Sequence, residues 1–123
     1  MITDTITAPA TPPGTGALSV IRISGPDTLR VVSSLFSASA KLEPRRAVHG
    51  RLTDGEKVLD DVVLTFFKGP SSFTGEDSAE ICCHGNPLIV RSIIRAFIGK
   101  GMRMAEPGEF SKRAFLNGRL DLT

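Results

Sequence analysis

The sequence predicts an α+β fold in which helices pack on a mixed β-sheet. Its 123 residues suffice for one domain, and 41% hydrophobic with 23% charged residues is typical of a globular protein rather than a disordered chain. Short β-branched segments alternate with segments of helical periodicity, and two of the strand-like segments flank a turn. This alternation favours a sheet that is covered by helices on one side.

The predicted strands occupy residues 18–24, 48–52, 58–67, 78–84 and 102–105. Leu18–Ser24 is β-branched and apolar on both faces, which predicts a central, buried strand. The second and third segments flank Asp54-Gly55, which predicts a hairpin with a loop longer than two residues. Residues 102–105 are predicted to form an edge strand.

Three helices are predicted between and after these strands. The second is capped by Asn86, opens with Pro87 and runs to about residue 98, and the third spans residues 109–117 before Gly118. The first includes Pro26 in its first turn. Its apolar residues follow at spacings of three and four, on one stripe: Leu29, Val32 and Leu35 or Phe36.

Several functions are excluded by composition and motifs. A net charge of +2 does not demand a nucleic-acid partner, and no phosphate-binding loop of the form Gly-x-x-x-x-Gly-Lys-Ser/Thr occurs. No hydrophobic stretch approaches a membrane span and no signal peptide is recognisable, so we expect a cytoplasmic protein. Cys82 and Cys83 are adjacent and lack zinc-site spacing, so we expect packing residues and no metal site.

Arg22 and Glu80 are the charges that stand out within predicted strands. Alternation places each of them on a face with apolar residues, where a buried charge must be paired or must bind a ligand. Two interpretations stay open: an internal ion pair, or a polar anchor whose carboxylate accepts two N–H donors from a ligand. Residues 111–113 are interpreted as a solvent-exposed helix face, with a basic nucleic-acid surface as the alternative.

Five separated segments carry the most specific signal in the chain. They are Ala10-Thr11-Pro12-Pro13-Gly14, Ile21-Arg22-Ile23-Ser24-Gly25, Ser72-Phe73-Thr74-Gly75-Glu76-Asp77 followed by Glu80, His84-Gly85, and Pro107-Gly108-Glu109-Phe110-Ser111-Lys112-Arg113-Ala114-Phe115-Leu116-Asn117-Gly118-Arg119-Leu120-Asp121-Leu122. In this order, over nearly the whole chain, they resemble the amino-terminal domain of the tRNA-modification GTPase family MnmE, also called TrmE.

The resemblance implies a tetrahydrofolate-binding and homodimerising domain over residues 1–118, similar to the folate-binding domain of the glycine-cleavage aminomethyltransferase. Residues 119–123 would begin the connection to a helical domain that is absent from this chain. The resemblance implies that Arg22, Glu80 and Arg119 bind 5-formyl- or 5,10-methylene-tetrahydrofolate. Arg119 stands where the family usually has Lys, which keeps the charge but changes its reach and hydrogen-bond geometry.

The resemblance also implies a function for the parent GTPase. It would modify C5 of the tRNA wobble uridine in the carboxymethylaminomethyl pathway, together with the FAD-containing partner MnmG (GidA). GTP, potassium and magnesium would bind only in the GTPase domain, and no catalytic residue is expected in the present chain. The alternative is a non-catalytic scaffold or RNA-binding module in which Arg22 and Glu80 only pair with each other.

Overall fold

One mixed sheet of seven strands organises the described part of the chain, which in this computed structural model is residues 4–12, 14 and 16–119. The spatial order of its strands is β3-β4-β5-β6-β2-β1-β7, and only β1 and β7 run parallel to each other among these neighbours. The α+β prediction is thereby confirmed. In chain order the elements are β1 (Ile6–Pro9), β2 (Leu18–Ser24), α1 (Thr28–Leu35), β3 (Phe36–Ser37), β4 (Ala47–Asp54), β5 (Lys57–Phe67), β6 (Ser78–His84), α2 (Pro87–Gly99), β7 (Arg103–Met104) and α3 (Glu109–Leu116).

Strand β2 lies between β6 and β1, which confirms its predicted central place. Only one of its faces is fully buried, however. Ile21 and Ile23 are completely covered, whereas Arg22 on the opposite face is only half-buried. The prediction that both faces are buried is therefore wrong, because the helices that form the core cover the Ile21 side.

The hairpin of β4 and β5 is tighter than predicted. Pairing continues to Asp54 opposite Lys57, so the connecting loop has two residues, Gly55 and Glu56. Gly55 adopts a φ of +63°, which suits the left-handed turns that two-residue hairpins require. Both strands are longer than their apolar segments, since the pairs Thr53–Val58 and Asp54–Lys57 continue the hydrogen-bonded ladder to the turn.

Helices α1 and α2 pack on the same side of the sheet. Asn86 caps α2 as predicted, since its side-chain oxygen accepts a hydrogen bond of 2.8 Å from the Leu88 amide. Helix α1 begins after Pro26, and Leu29 on it is exposed while Val31 is buried, which corrects the predicted stripe.

No helix in the described ranges is long and apolar enough to cross a bilayer. The core between helices and sheet includes Ile21, Ile23, Val32, Leu64, Ile81, Cys83, Ile93 and Phe97.

Helix α3 lies on the other side of the sheet, at one end, and corrects the predicted one-sided arrangement. The ring centroid of Phe110 lies 5.8 Å from the guanidinium carbon of Arg22, and the Asn117 amide donates to the Thr74 carbonyl at 2.8 Å. The rest of this face stays open, with Leu18 and Val63 exposed on it. We call it the open face.

Candidate functional site

A cavity of about 100 Å³, here called the inner cavity, lies beside Arg22 and Glu80. Strand β2 supplies Arg22 and β6 supplies Glu80, and the two residues are directly opposite each other in the sheet register. The other walls come from the end of β5, the start of β6 and the loop of residues 68–77, here called the 68–77 loop. The lining residues are Arg22, Phe67, Phe73, Thr74, Ser78 and Glu80.

Arg22 and Glu80 form an ion pair that leaves part of each group unused. Nε and Nη2 of Arg22 both donate to Oε2 of Glu80, at 3.3 and 3.0 Å. Nη1 of the arginine and Oε1 of the carboxylate have no hydrogen-bond partner within the described residues. The two side chains are 32% and 40% exposed, so the expected full burial is wrong. The pair therefore offers a donor and an acceptor beside one cavity.

Two aromatic rings fix the Arg22 guanidinium. Its central carbon lies 5.5 Å from the ring centroid of Phe73 and 5.8 Å from that of Phe110, within the range of cation–π attraction. Phe73 is half exposed and lines the inner cavity. Its ring thus provides apolar surface next to the ion pair, and small-molecule sites in proteins combine aromatic walls with a few charged or polar groups in this way.

A second cavity of about 330 Å³, here called the outer cavity, adjoins the first. The two share the walls formed by Phe67 and Phe73. Arg119 lines the outer cavity and not the inner one. Of the three predicted site residues, Arg22 and Glu80 therefore share a cavity, and Arg119 lines the adjacent one. The outer lining is Arg45, Phe67, Ser71, Ser72, Phe73 and Arg119.

Hydroxyl groups fix the 68–77 loop against the sheet. Ser24 Oγ lies 2.6 Å from Thr74 Oγ1 and donates to Glu76 Oε1 at 2.7 Å. Gly75 has a φ of +83°, and a Cβ there would lie only 2.8 Å from the Asn117 Cβ. Only glycine lets the loop approach the end of α3 this closely, which sets the position of the wall shared by both cavities.

Arg113 is the buried centre of an ion cluster, so the prediction that residues 111–113 form a solvent-exposed helix face is wrong for this residue. It is 3% exposed and contacts carboxylates of Asp4 at 2.6 Å, Glu76 at 3.2 Å and Glu109 at 3.2 Å. Arg103 binds Asp4 and Glu109 from outside, at 2.8 and 2.7 Å. The cluster joins the N-terminal segment, the 68–77 loop and α3.

Hydrogen bonds from Arg103 lower the pKa of Glu109 to about 2, with further contributions from the Glu106 amide and Arg113, against burial. The same arginine, together with Arg113, lowers the pKa of Asp4. Both acids therefore stay ionised well below neutral pH. The prediction of a solvent-exposed helix face over residues 111–113 is correct for Ser111 and Lys112, which are exposed.

Seven lining residues were not predicted as site residues: Arg45, Phe67, Ser71, Ser72, Phe73, Thr74 and Ser78. Phe73 lies within the quoted Ser72-Phe73-Thr74-Gly75 segment, so the segment itself marked its importance. Arg45 carries no such signal, because it stands beside Arg46 in a polar connection between β3 and β4. Its approach to the cavity depends on the fold.

Residues 5–119 match the protein family described as "GTP-binding protein TrmE N-terminus". The chain belongs to this family. Among similar TrmE relatives, all named "tRNA modification GTPase MnmE", the protein of Thermotoga sp. (strain RQ2) is 51% identical over 120 residues. The protein of Porphyromonas gingivalis is 48% identical over 126 residues, and that of Syntrophus aciditrophicus 45% over 128.

These matches cover 98–100% of this chain but only 27–28% of each relative. The chain thus spans about a quarter of the length of the TrmE relatives that it matches. The resemblance stated from the five sequence segments is confirmed.

Proposed function

We propose that this domain binds a reduced one-carbon folate, 5-formyl- or 5,10-methylene-tetrahydrofolate, across the inner and outer cavities. The observation that carries the proposal is the half-exposed Arg22–Glu80 pair beside the ring of Phe73. A pterin presents N–H donors and a carbonyl acceptor along one edge. Glu80 accepts from the donors and Arg22 donates to the carbonyl, while Phe73 covers the flat ring. Arg119 meets the part of the ligand that extends into the outer cavity.

The proposed role of the domain is to hold the carbon donor for a tRNA-modifying GTPase. The printed name of the relatives, tRNA modification GTPase, supports this role. We propose that the whole protein acts in the cytoplasm on C5 of the wobble uridine, with the FAD-containing MnmG as partner. GTP, potassium and magnesium would bind in a domain outside the matched quarter. Of the connection proposed for residues 119–123, residues 120–123 lie outside the described residues.

Glu80→Gln tests the folate site. We expect it to weaken 5-formyltetrahydrofolate binding about tenfold or more, because an acceptor oxygen is replaced by an amide donor that faces the pterin donors, a mismatch of about 1–3 kcal/mol. Isothermal titration calorimetry on the 123-residue chain measures this loss. Glu56→Gln, in the exposed hairpin turn, is the matched control and should bind like the wild type.

The alternative function predicts a different result. If Arg22 and Glu80 only pair with each other in a scaffold or RNA-binding module, the wild-type chain gives no heat with the folate. In that case Glu80→Gln should lower the melting temperature without affecting any ligand. Normal folate binding by Glu80→Gln would instead remove Glu80 from the site.

We further propose that the open face forms a symmetric homodimer. Leu18 is 61% and Val63 38% exposed there, whereas Val62 and Leu64 of the same apolar run are buried in the core. Sedimentation equilibrium over a hundredfold concentration range should detect the dimer, whose interface should bury on the order of 1,200–2,000 Å². Val63→Lys should shift it to monomer, and a single-chain mass of the wild type throughout would contradict the proposal.

A further inference from the structure

We propose that the outer cavity binds the carboxylates of the folate's glutamate tail, and that Arg45 is a second cation of this subsite beside Arg119. The inference rests on the proposed folate function and adds a residue and a ligand group to it. Arg45 and Arg119 come from separate parts of the chain, the connection before β4 and the residues after α3, yet they line one cavity with Ser71 and Ser72.

The charges of the outer cavity favour an anionic ligand. Within residues 4–12, 14 and 16–119, no carboxylate lies within 4.0 Å of either Arg45 or Arg119, whereas the neighbouring Arg46 pairs with Glu43 at 3.4 Å. Two guanidinium groups beside one cavity repel each other, and an anion between them removes this repulsion. Carboxylates suit guanidinium donors in particular, since they accept two parallel N–H bonds.

The backbone of Arg45 supports a ligand-binding role. Its φ of +66° is left-handed, a conformation that costs a residue with a Cβ more than it costs glycine. The Arg45 amide donates to the Phe66 carbonyl at 2.7 Å, which fixes this conformation next to Phe67, a wall of both cavities. Glycine would adopt this φ at a lower cost, so the backbone does not explain why position 45 carries an arginine. Its exposed guanidinium is the group that would contact a ligand.

The shared walls favour a folate tail over an RNA phosphate. Because Phe67 and Phe73 line both cavities, the outer cavity is the adjacent space into which a ligand with its pterin in the inner cavity would extend. Its carboxylates then reach the arginines after the aminobenzoyl ring has passed the two aromatic walls. An RNA phosphate would use the outer cavity without any connection to the inner site.

Arg45→Gly tests the subsite without straining the fold. Calorimetry is carried out with 5-formyltetrahydrofolate bearing one or three glutamates, and with a tetrahydropterin that lacks the tail. We expect Arg45→Gly to weaken the tailed ligands roughly tenfold and the tail-free pterin less than about twofold. Its melting temperature should equal or exceed that of the wild type, because glycine accepts a positive φ. Arg45→Lys should retain most of the affinity, and Arg46→Ala is the matched control.

The results separate the subsite from the folate site as a whole. If wild-type protein binds the folates and Arg45→Gly binds them equally well, the tail subsite is wrong while the proposed function stands. An equal loss for tailed and tail-free ligands also overturns it, since Arg45 would then act on the pterin site. If Arg45→Gly weakens only tRNA binding, the cavity is an RNA contact. No binding of any folate by the wild type overturns both proposals.

Discussion

Arg113 and Arg22 both pair with carboxylates on the same side of the sheet, but they differ in how many of their N–H donors are bound by other groups of the protein. Arg113 is 3% exposed and contacts three acidic side chains and the Asp4 carbonyl. Arg22 is 32% exposed and contacts a single oxygen of Glu80. The first arginine is satisfied by its own chain, whereas the second keeps a donor for another molecule.

The number of donors left without a partner distinguishes a structural ion cluster from a binding site better than the burial of the charge alone. A buried charge must be fully paired because the interior does not solvate it. A half-exposed pair is weak as a source of stability, but it presents oriented donors and acceptors to a ligand. The ion cluster also contacts the wall of the inner cavity, since Glu76 binds Arg113 and accepts a hydrogen bond from Ser24, which contacts Thr74.

Arg113→Met is the substitution with the largest expected effect. It removes the arginine partner of the mostly covered Glu76 carboxylate and leaves Glu109 with Arg103 alone, and we expect a loss of roughly 3–5 kcal/mol in the free energy of unfolding. Urea unfolding followed by circular dichroism measures it. Arg30→Met, which breaks only an exposed pair with Asp27, is the control and should cost under about 1 kcal/mol. Equal, small losses would contradict the structural role of Arg113.

Acid pH should weaken the same cluster by a smaller amount. The pKa of Glu109 is about 2 in the folded protein against an ordinary value of 4.5. A lowered pKa contributes stability that is complete above pH 4.5 and is lost as the pH falls toward 2. Melting temperatures of the wild type and Glu109→Gln should therefore differ at neutral pH and converge between about pH 4.5 and pH 2. A constant difference would contradict this account.

Local patterns predicted β2 from its run of β-branched and apolar residues, β6 as a short strand, and α2 from the residues that cap and open it. They missed β1, because Ile6-Thr7-Ala8-Pro9 has little alternation and becomes a strand by pairing with β2. Which face of β2 is covered also depends on where distant helices pack. The strand register placed Arg22 opposite Glu80, but their exposure could not be read from alternation.

The ion cluster was not predictable from local sequence. Arg113 contacts Asp4, 109 positions away, and Glu76, 37 positions away, so its neighbours in sequence reveal neither partner. The run Ser111-Lys112-Arg113 is typical of a solvent-exposed helix face, and Ser111 and Lys112 are indeed exposed. Arg45 reached the outer cavity for a similar reason, since it is the fold that brings the connection before β4 next to Phe67.

The smallest expected difference lies within the candidate site itself, between Arg22→Ala and Arg119→Ala. Both substitutions should weaken 5-formyltetrahydrofolate binding, and the loss should be larger for Arg22, by roughly a few-fold. Arg22 is oriented before the ligand arrives, by Glu80 and two aromatic rings, so little side-chain entropy is lost on binding. Arg119 is exposed, and although its amide donates to the Ala114 carbonyl at 2.8 Å, its guanidinium has no carboxylate partner within the described residues.

Calorimetry of the two variants, with melting temperatures measured on the same samples, decides the comparison. Both should melt within a few degrees of the wild type, because neither arginine is buried and exposed ion pairs contribute under about 1 kcal/mol. If the two variants lose equal affinity, the segment after α3 holds Arg119 as firmly as the sheet holds Arg22, and orientation before binding is not what separates them. If Arg22→Ala instead unfolds, the Arg22–Glu80 pair stabilises the fold as the Arg113 cluster does, and the distinction drawn from their exposure is wrong.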